Sequence, residues 1–428
     1  MNLKQIYKNK ILLLLIATLS VGLLSASCSG GQSTSKEKIT LTLWKPFVDS
    51  DKMNVIIQAY KKKKPNVTIE YTKKNIENYE SDLLNALAAG SGPDIFSINN
   101  TWTAQYKDKI VSAPAGLYTL KEYKDAFVDV VNDDFVYDNQ IFGTAMWVDS
   151  LGLYYNKDLL GTAGIATPAK TWNELAVDSR KVIVQDASGV FTRSGVAMGL
   201  SENVNRGVDI LYLLMLQAGV KPWSDDGRSP QFASGSGGED ATTFYTSFAN
   251  PNSGNYTWNA RSDYSVDAFA NGRAAYLYGY SYTREQIDAK SPNLNYDVAQ
   301  VPQKQLGTPD INYASYFAEV VSKQSKHQKE AWEFLKYATS KEALDLYYAK
   351  DKQPSSRRDL IELQTSDLEI GVFAHANLTA KSFYKPNEAK FDSIIGEMIE
   401  AIVIDRQNVS SALSRAQSQA SALVRSTN

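Results

Sequence analysis

The stretch "ITLTLWKPFVDSDKMNVIIQAYKKKKPNVTIEY", Ile39 to Tyr71, changes its hydrophobic period twice. Ile39, Leu41 and Leu43 alternate with polar residues, the pattern of a half-buried strand, and Pro46 closes it. Met53, Ile56, Ile57 and Tyr60 then fall at i, i+3, i+4 and i+7, one face of a helix. Its closing run Lys61 to Lys64 suits the negative end of a helix dipole and reads as a solvated helix end. Past Pro65, Val67, Ile69 and Tyr71 alternate again as a second strand. A helix with Leu83, Leu84 and Leu87 inward follows, ends at Gly90, and leads into the strand "DIFSI". Strand, helix, strand, helix, strand is the order of a doubly wound α/β sheet. Such sheets bind ligands outside the strand carboxyl ends, so the loops after Trp44 and after Ile98 form a candidate site.

Ahead of this stretch, Lys4, Lys8 and Lys10 precede the apolar run "ILLLLIATLSVGLL" and the small residues Ser25, Ala26 and Ser27, the layout of a secretory signal. The run falls short of the roughly twenty residues that cross a bilayer. Cys28, the one cysteine of the 428-residue chain, follows directly. Small residues ending in Cys resemble a lipobox, which implies that Cys28 becomes the lipidated first residue and anchors the protein to a membrane. Ser25 stands where a lipobox usually has Leu, and Leu24 is one place further back, so ordinary cleavage at "SAS" is the alternative. Residues 1–27 are then a signal peptide, and residues 28–38 a lipidated Cys with a flexible polar tether. Without a second cysteine no disulfide supports the exported domain, and burial must hold it together. The remaining length, about 390 residues, is enough for more than one core.

The formal charge is −2, or −5 once Lys4, Lys8 and Lys10 are removed (−2 minus 3), which argues against a nucleic-acid partner. The 25 Tyr and 7 Trp call for flat side chains beyond the core. Reactive groups are scarce: His327 and His375 are far apart, and there is no HExxH, P-loop or GxSxG. His327 reads as an exposed helix-start residue, and His375 has no ligand-type neighbours. No cluster has metal-ligand spacing, so neither a metal nor a cofactor is expected. Asp133 and Asp134 offer paired carboxylates for a glycosidase, but adjacent positions point apart and "NDD" reads as a helix-end turn. "TWNEL", Thr171 to Leu175, is a capping box, with Trp172 a core anchor. Asp94 in "GPD" is expected to cap backbone amides.

Further on, "DYSVDAFANGRAAYLYGY" (Asp263 to Tyr280) packs a short helix, a terminating Gly272 and a strand into one unit. That strand's carboxyl end delivers Tyr280 and Tyr282 to a loop. One helix face carries Ala331, Trp332, Leu335 and Ala338, and another Phe391, Ile394, Ile395, Met398, Ile399 and Ile402. Gly, Pro, Asn and Ser mark residues 225–240 and 249–255 as surface loops.

"LTLWKPF", "YKKKKPNVTIEY", "AAGSGPDIFSI", "IFGTAMWVDSLGLYYNKDLL", "PAKTWNEL", "DAFANGRAAYLYGY", "AQVPQ", "EAWEFLKYATS" and "QPSSRRDL", in this order, resemble a family-1 extracellular solute-binding protein. This is the maltose-binding-like group of carbohydrate receptors for ABC importers, and the similarity runs from about Ile39 to the C-terminus. It implies a two-lobed, type II periplasmic-binding-protein-like α/β fold. Each lobe is a mixed, mostly parallel sheet flanked by helices, with the ligand cleft between lobes. Mapped by motif, the N-terminal lobe takes residues 40–147 plus 317–349, and the C-terminal lobe 152–310 plus 355–424. Crossovers then fall near 147–152, 311–317 and 350–357.

The same resemblance places Asp149 in "MWVDS" at an acidic sugar-ligand position, with hinge capping as its alternative role, and Trp147 beside it. It points to Asn99, Asn100 and Trp102 in "SINNTW", and to Tyr282 as a stacking aromatic with Tyr280 as alternate. Trp44, Tyr316, Phe317, Glu202, Asn205 and Tyr384 complete the candidate ligand set. Sugars present hydroxyls and one apolar face per ring, so aromatic platforms with carboxylates and amides suit them. The reading that follows is a monomeric, non-catalytic lipoprotein that captures a sugar, an oligosaccharide above all, and delivers it to ABC permease subunits. Its alternatives are the same role for a non-sugar polar solute, an exported glycan-acting enzyme, and a tethered adhesin.

Overall fold

In the computed structural model, residues 37–224 and 229–427 are described; the expected signal peptide, Cys28 and nearly all of the expected tether lie outside them. Two five-stranded sheets carry the fold. In β1 (Ile39–Pro46), Leu41, Leu43 and Lys45 point inward. The helix Ser50–Lys63 buries Met53, Ile56, Ile57 and Tyr60, as its period predicts. β2 (Val67–Lys74) follows, and then a helix, Ile76–Ala88, that buries Tyr79, Leu83 and Leu87, with Leu84 only half-buried. Its chain turns at Gly90, whose φ of 70° is open to glycine without strain. β3 (Ile95–Asn99) is buried throughout. β4 (Ile110–Val111) and a late strand, β13 (Phe317–Ser322), complete a sheet ordered β2-β1-β3-β13-β4.

After a short hairpin, β5 (Val136–Tyr137) with β6 (Gln140–Ile141), the chain moves to the second sheet. That sheet is built from β7 (Gly152–Asn156), β8 (Val184–Gln185), β9 (Phe191–Val196), β10 (Ala274–Gly279) and β11 (Tyr296–Ala299), in the order β11-β7-β10-β9-β8. β12 (Asn312–Tyr313) leads back to β13 (Phe317–Ser322) in the first sheet, and β14 (Ala380–Lys381) pairs with β12. Both sheets are mixed, with a larger antiparallel share than the resemblance implies. β1 and β3 run parallel, as do β9 and β10, but β13 is antiparallel to both neighbours and β7 to both of its own. Residues from Thr40 onward make one compact unit.

Three chain segments between the sheets are stitched to one another. Trp147 bridges Ser355 and Ser150 bridges Ala314, and the Ser315 N–H donates to the Asp149 carbonyl at 3.0 Å. Buried Asn377 donates to the Val148 and Ser355 carbonyls, and its own oxygen accepts from the Ser150 hydroxyl at 2.6 Å. The polar groups of Ser150 and Asn377 all find partners, which ties the three segments together.

Some local expectations shift. Residues 236–240, read as loop, open the helix Ser236–Ser247, because Ala241, Thr242 and Tyr245 bury and Gly238 lets the backbone approach the Phe232 carbonyl. The capping box at Thr171 is half formed: Thr171 Oγ1 accepts from the Glu174 N–H, but Glu174 accepts from the Lys170 N–H. A complete one stands at Thr119 and Glu122. "NDD" lies inside the helix Asp129–Phe135, which turns Asp134 inward. Asp94 accepts from the Thr42 N–H, as a capping carboxylate should. Among the described residues the tyrosines largely serve the core, where thirteen of them are buried. Several of their hydroxyls donate to carbonyls inside, Tyr79 to Ser97, Tyr123 to Gly143 and Tyr245 to Leu200.

Candidate functional site

The carboxyl ends of β1, β3 and β10 and the amino end of β13 bring most of the candidate residues to the seam. β3 ends at Asn99, whose side chain accepts from the Thr101 N–H at 2.9 Å and so caps the turn Asn100–Trp102. Asn100 donates to Asp134 Oδ2 at 3.0 Å, and the Tyr316 hydroxyl donates to the same oxygen at 2.8 Å. The Ser382 hydroxyl donates to the other oxygen. Asn100, Tyr316 and Ser382 thus converge on one buried carboxyl, which burial pushes up to about 7 against the pull of those three donors.

Beside this hub, Phe317 meets three rings: Trp102 edge-on at 5.7 Å, Phe47 edge-on at 5.5 Å, and Tyr79 at 6.5 Å. Trp102 Nε1 donates to Glu388 Oε2 at 2.9 Å, a contact between residues 286 positions apart. Phe47 is 59% exposed and holds a φ of 65°, a conformation costly for a bulky residue. Trp44 is half-buried under the Lys74 ammonium, 3.5 Å from its ring centroid. Trp147 stacks on Tyr347 at 5.5 Å with the Lys45 ammonium 4.7 Å over its ring.

On the β10 side, both Asp149 oxygens are engaged by Ser281, by its N–H at 3.0 and 3.1 Å and by its hydroxyl at 2.8 Å. Burial pushes this carboxyl, too, up to about 7, against those hydrogen bonds. Asp149 thereby ties the Tyr280–Tyr282 turn to the segment that precedes β7. Tyr280 is fully buried, donates to Asp209 Oδ2 at 2.9 Å and stacks on Tyr282 at 5.8 Å. Tyr282 stays 45% exposed. Arg206, another non-glycine residue with positive φ, 57°, lies over the Tyr280 ring at 5.0 Å. It pairs with Asp209 at 2.8 Å and donates to Ser315 Oγ at 3.2 Å.

Around Ser315–Phe317, then, the fold gathers Asn99, Asn100, Trp102, Asp149, Tyr280 and Tyr282. Asn205 stands next to Arg206, accepts from the Tyr264 hydroxyl at 3.2 Å and has a buried Nδ2 with no partner. Trp44 and Trp147 have separate partners near β1. Glu202 is exposed, with its N–H bound to Glu400, and Tyr384 is half-buried against Trp223 at 5.0 Å. Phe47, Arg206 and Glu388 escaped the sequence reading, and Asp134 entered it only as part of a helix-end turn. Phe47 alone had a signal, sitting in the loop past the first strand end. Among the described residues, no group of His, Cys, Asp and Glu is arranged to hold a metal, and no helix is long and apolar enough to cross a membrane.

Deprotonating Asp134 should destabilise the fold. A folded-state value raised from 3.8 to about 7 gives stability that is full below 3.8 and lost as pH climbs through 7, at most about 4 kcal/mol. Asp134→Asn keeps an oxygen for Asn100 and Tyr316 and removes the titration. Its melting temperature should therefore fall less between pH 5 and pH 8 than that of the parent; parallel curves would show that Asp134 does not titrate there.

The fold is that of a two-lobed, type II binding protein. A structural neighbour, the sugar-binding protein MalE of Xanthomonas citri, superposes with a TM-score of 0.76 over 90% of this chain and 98% of that one, at 18% identity. Residues 46–345 match the bacterial extracellular solute-binding protein family, and the chain belongs to it. Two relatives agree in length. A putative binding protein of Brucella abortus is 24% identical over 330 residues, 77% of each chain. The multiple sugar-binding protein of Streptococcus mutans is 22% identical over 392 residues, 85% of this chain and 86% of its own.

Proposed function

We propose that this protein is an exported, monomeric lipoprotein, anchored through Cys28, that closes two lobes on a sugar and hands it to ABC permease subunits. The lobes are residues 40–147 plus 317–349 and residues 152–310 plus 355–424. The observation that carries the reading is a pair of exposed aromatic edges, Phe47 on Phe317 and Tyr282 on Tyr280, linked through Arg206, which lies over Tyr280 and donates to Ser315, two residues before Phe317. Rings supply apolar platforms for a sugar face, and Arg206, Asn205 and Glu388 supply hydrogen-bonding groups for its hydroxyls. Asp149 acts from beneath, holding Ser281 and so the Tyr282 platform. Asn100 and Tyr316 set the opposite wall through Asp134, and Asn99 through the turn it caps. A solute touching both lobes favours the closed state because only that state offers both contact sets. The sugar-binding neighbour and relative support the solute class.

A thermal-shift panel of mono- and oligosaccharides tests this, since a ligand of the folded state raises its apparent stability. The stabilising sugar should also compact the chain in scattering. A panel without a stabilising sugar would overturn the sugar reading in favour of another polar solute.

A further inference from the structure

The start of β1 is a point where the ends of several other elements gather. The Thr42 N–H and the Ser325 hydroxyl both donate to the Asp94 carboxylate, at 2.9 and 2.6 Å, and the Ser322 N–H donates to the Asp94 carbonyl at 2.9 Å. These bonds tie the start of β1, the start of β3 and the turn after β13 together. The Lys323 N–H donates to the Lys109 carbonyl at 2.8 Å, which brings in the entry to β4. The helix Ser50–Lys63 runs back to the same end: Lys64, just past it, pairs at 2.8 Å with Glu333 of the helix Gln328–Ala338, which follows β13.

Lysines crowd this end. Lys62, Lys323, Lys326 and Lys329 are exposed and make no ion pair among the described residues. Lys61 donates to neutral acceptors, the Val67 carbonyl at 3.0 Å and Thr68 Oγ1 at 2.9 Å, so its charge stays uncompensated. Against them stand Glu330, and Asp108 and Glu333, which Lys109 and Lys64 already answer. The dipole of a helix end accounts for the run Lys61–Lys64 but not for the others: Lys329 sits in the first turn of its helix, where the dipole disfavours a cation. On a chain whose formal charge is −2, this one-sided excess of cations sets up a field that favours an anionic surface.

We infer that this end of the first sheet is a docking surface for the anionic headgroups of a lipid bilayer. The inference rests on the anchored reading, in which the chain leads from the lipid on Cys28 into the start of β1. Residues 28–38 span at most about 40 Å when fully extended, so the lysines stay within reach of the bilayer. Lysine clusters next to a membrane anchor attract acidic lipid, and an acyl anchor with a basic patch is a two-part attachment. The lipid sets the distance and the lysines set the orientation. The seam lies at the opposite, carboxyl ends of β1 and β3 and is thereby turned to the medium, where solute arrives. Salt screens the contact beyond about 8 Å, so it is reversible and the chain can turn for handover.

The test is co-sedimentation, at low salt, of the chain from Ser29 onward, which carries no lipid and keeps the whole compact unit from Thr40. One set of vesicles is phosphatidylcholine, and the other an equal mixture of phosphatidylcholine and phosphatidylglycerol. Partitioning to the mixed vesicles should be higher by about tenfold or more and should fall toward the neutral value in high salt. Lys323→Glu with Lys326→Glu should remove most of that gain. Lys170→Glu with Lys390→Glu, the same change of net charge at exposed positions of the proposed C-terminal lobe, should keep it. Equal binding to both vesicles, or equal losses in the two double variants, overturns the docking surface and leaves the sugar receptor standing. The anchor is read separately, from the mass of the Cys28 peptide of protein taken from native membranes. An unmodified cysteine there overturns the anchor, and the seated orientation with it, whatever the vesicles show.

Discussion

Replacing Lys45 by Met is expected to remove about 3–5 kcal/mol of folding stability, read from urea denaturation. Lys45 is the last inward position of β1 and is 1% exposed; its ammonium pairs with Glu319, 2% exposed, on β13. Glu319 also accepts from the Ser97 hydroxyl at 3.2 Å, so the carboxylate would keep one neutral donor once the ammonium is gone. A buried, half-satisfied carboxylate costs far more than the intact pair contributes. The double variant Lys45→Met with Glu319→Leu should accordingly recover most of the loss, since an apolar pair of similar volume leaves no charge stranded. A single variant within 1 kcal/mol of the parent, or a double one no better than the single, would contradict this.

Tyr282→Ala should weaken binding of the selected sugar by about 10- to 100-fold, near 1.4–2.8 kcal/mol, as truncation of an aromatic anchor does. The ring is 45% exposed and its neighbour Tyr280 is held independently by Asp209, so folding should hardly change. Tyr282→Phe keeps the face and drops the hydroxyl, and should retain most of the affinity. Calorimetry on both variants separates stacking from hydrogen bonding. Parent-like binding by Tyr282→Ala would remove this ring from the site.

Elements with a clear local period were legible. The helix Ser50–Lys63 buries the four residues its spacing selects, and β3 and β10 fall on the stretches read as strands, "DIFSI" and the end of "DYSVDAFANGRAAYLYGY". The seam was legible only through resemblance, because nothing local announces that Trp147 bridges Ser355 or that Trp102 meets Glu388. Lys45 shows why: its parity along β1 pointed inward, but a charge in the core makes sense only with Glu319, 274 residues away. Asp134 was misplaced because its helix runs on through "NDD" and turns the second carboxylate toward Asn100 and Tyr316. The tyrosine surplus was attributed to sugar platforms, whereas most of the buried rings complete the cores. Arg206 and Phe47 owe their placement to left-handed backbone turns, which residue type argues against in advance.

The central claim is closure of two lobes on a sugar. Small-angle scattering of the purified full chain, with and without the sugar that stabilises it, tests that most directly. The account predicts a smaller radius of gyration at saturation and none of that change in a Tyr282→Ala, Trp102→Ala double variant at the same sugar concentration. Saturating binding with an unchanged radius of gyration would contradict it.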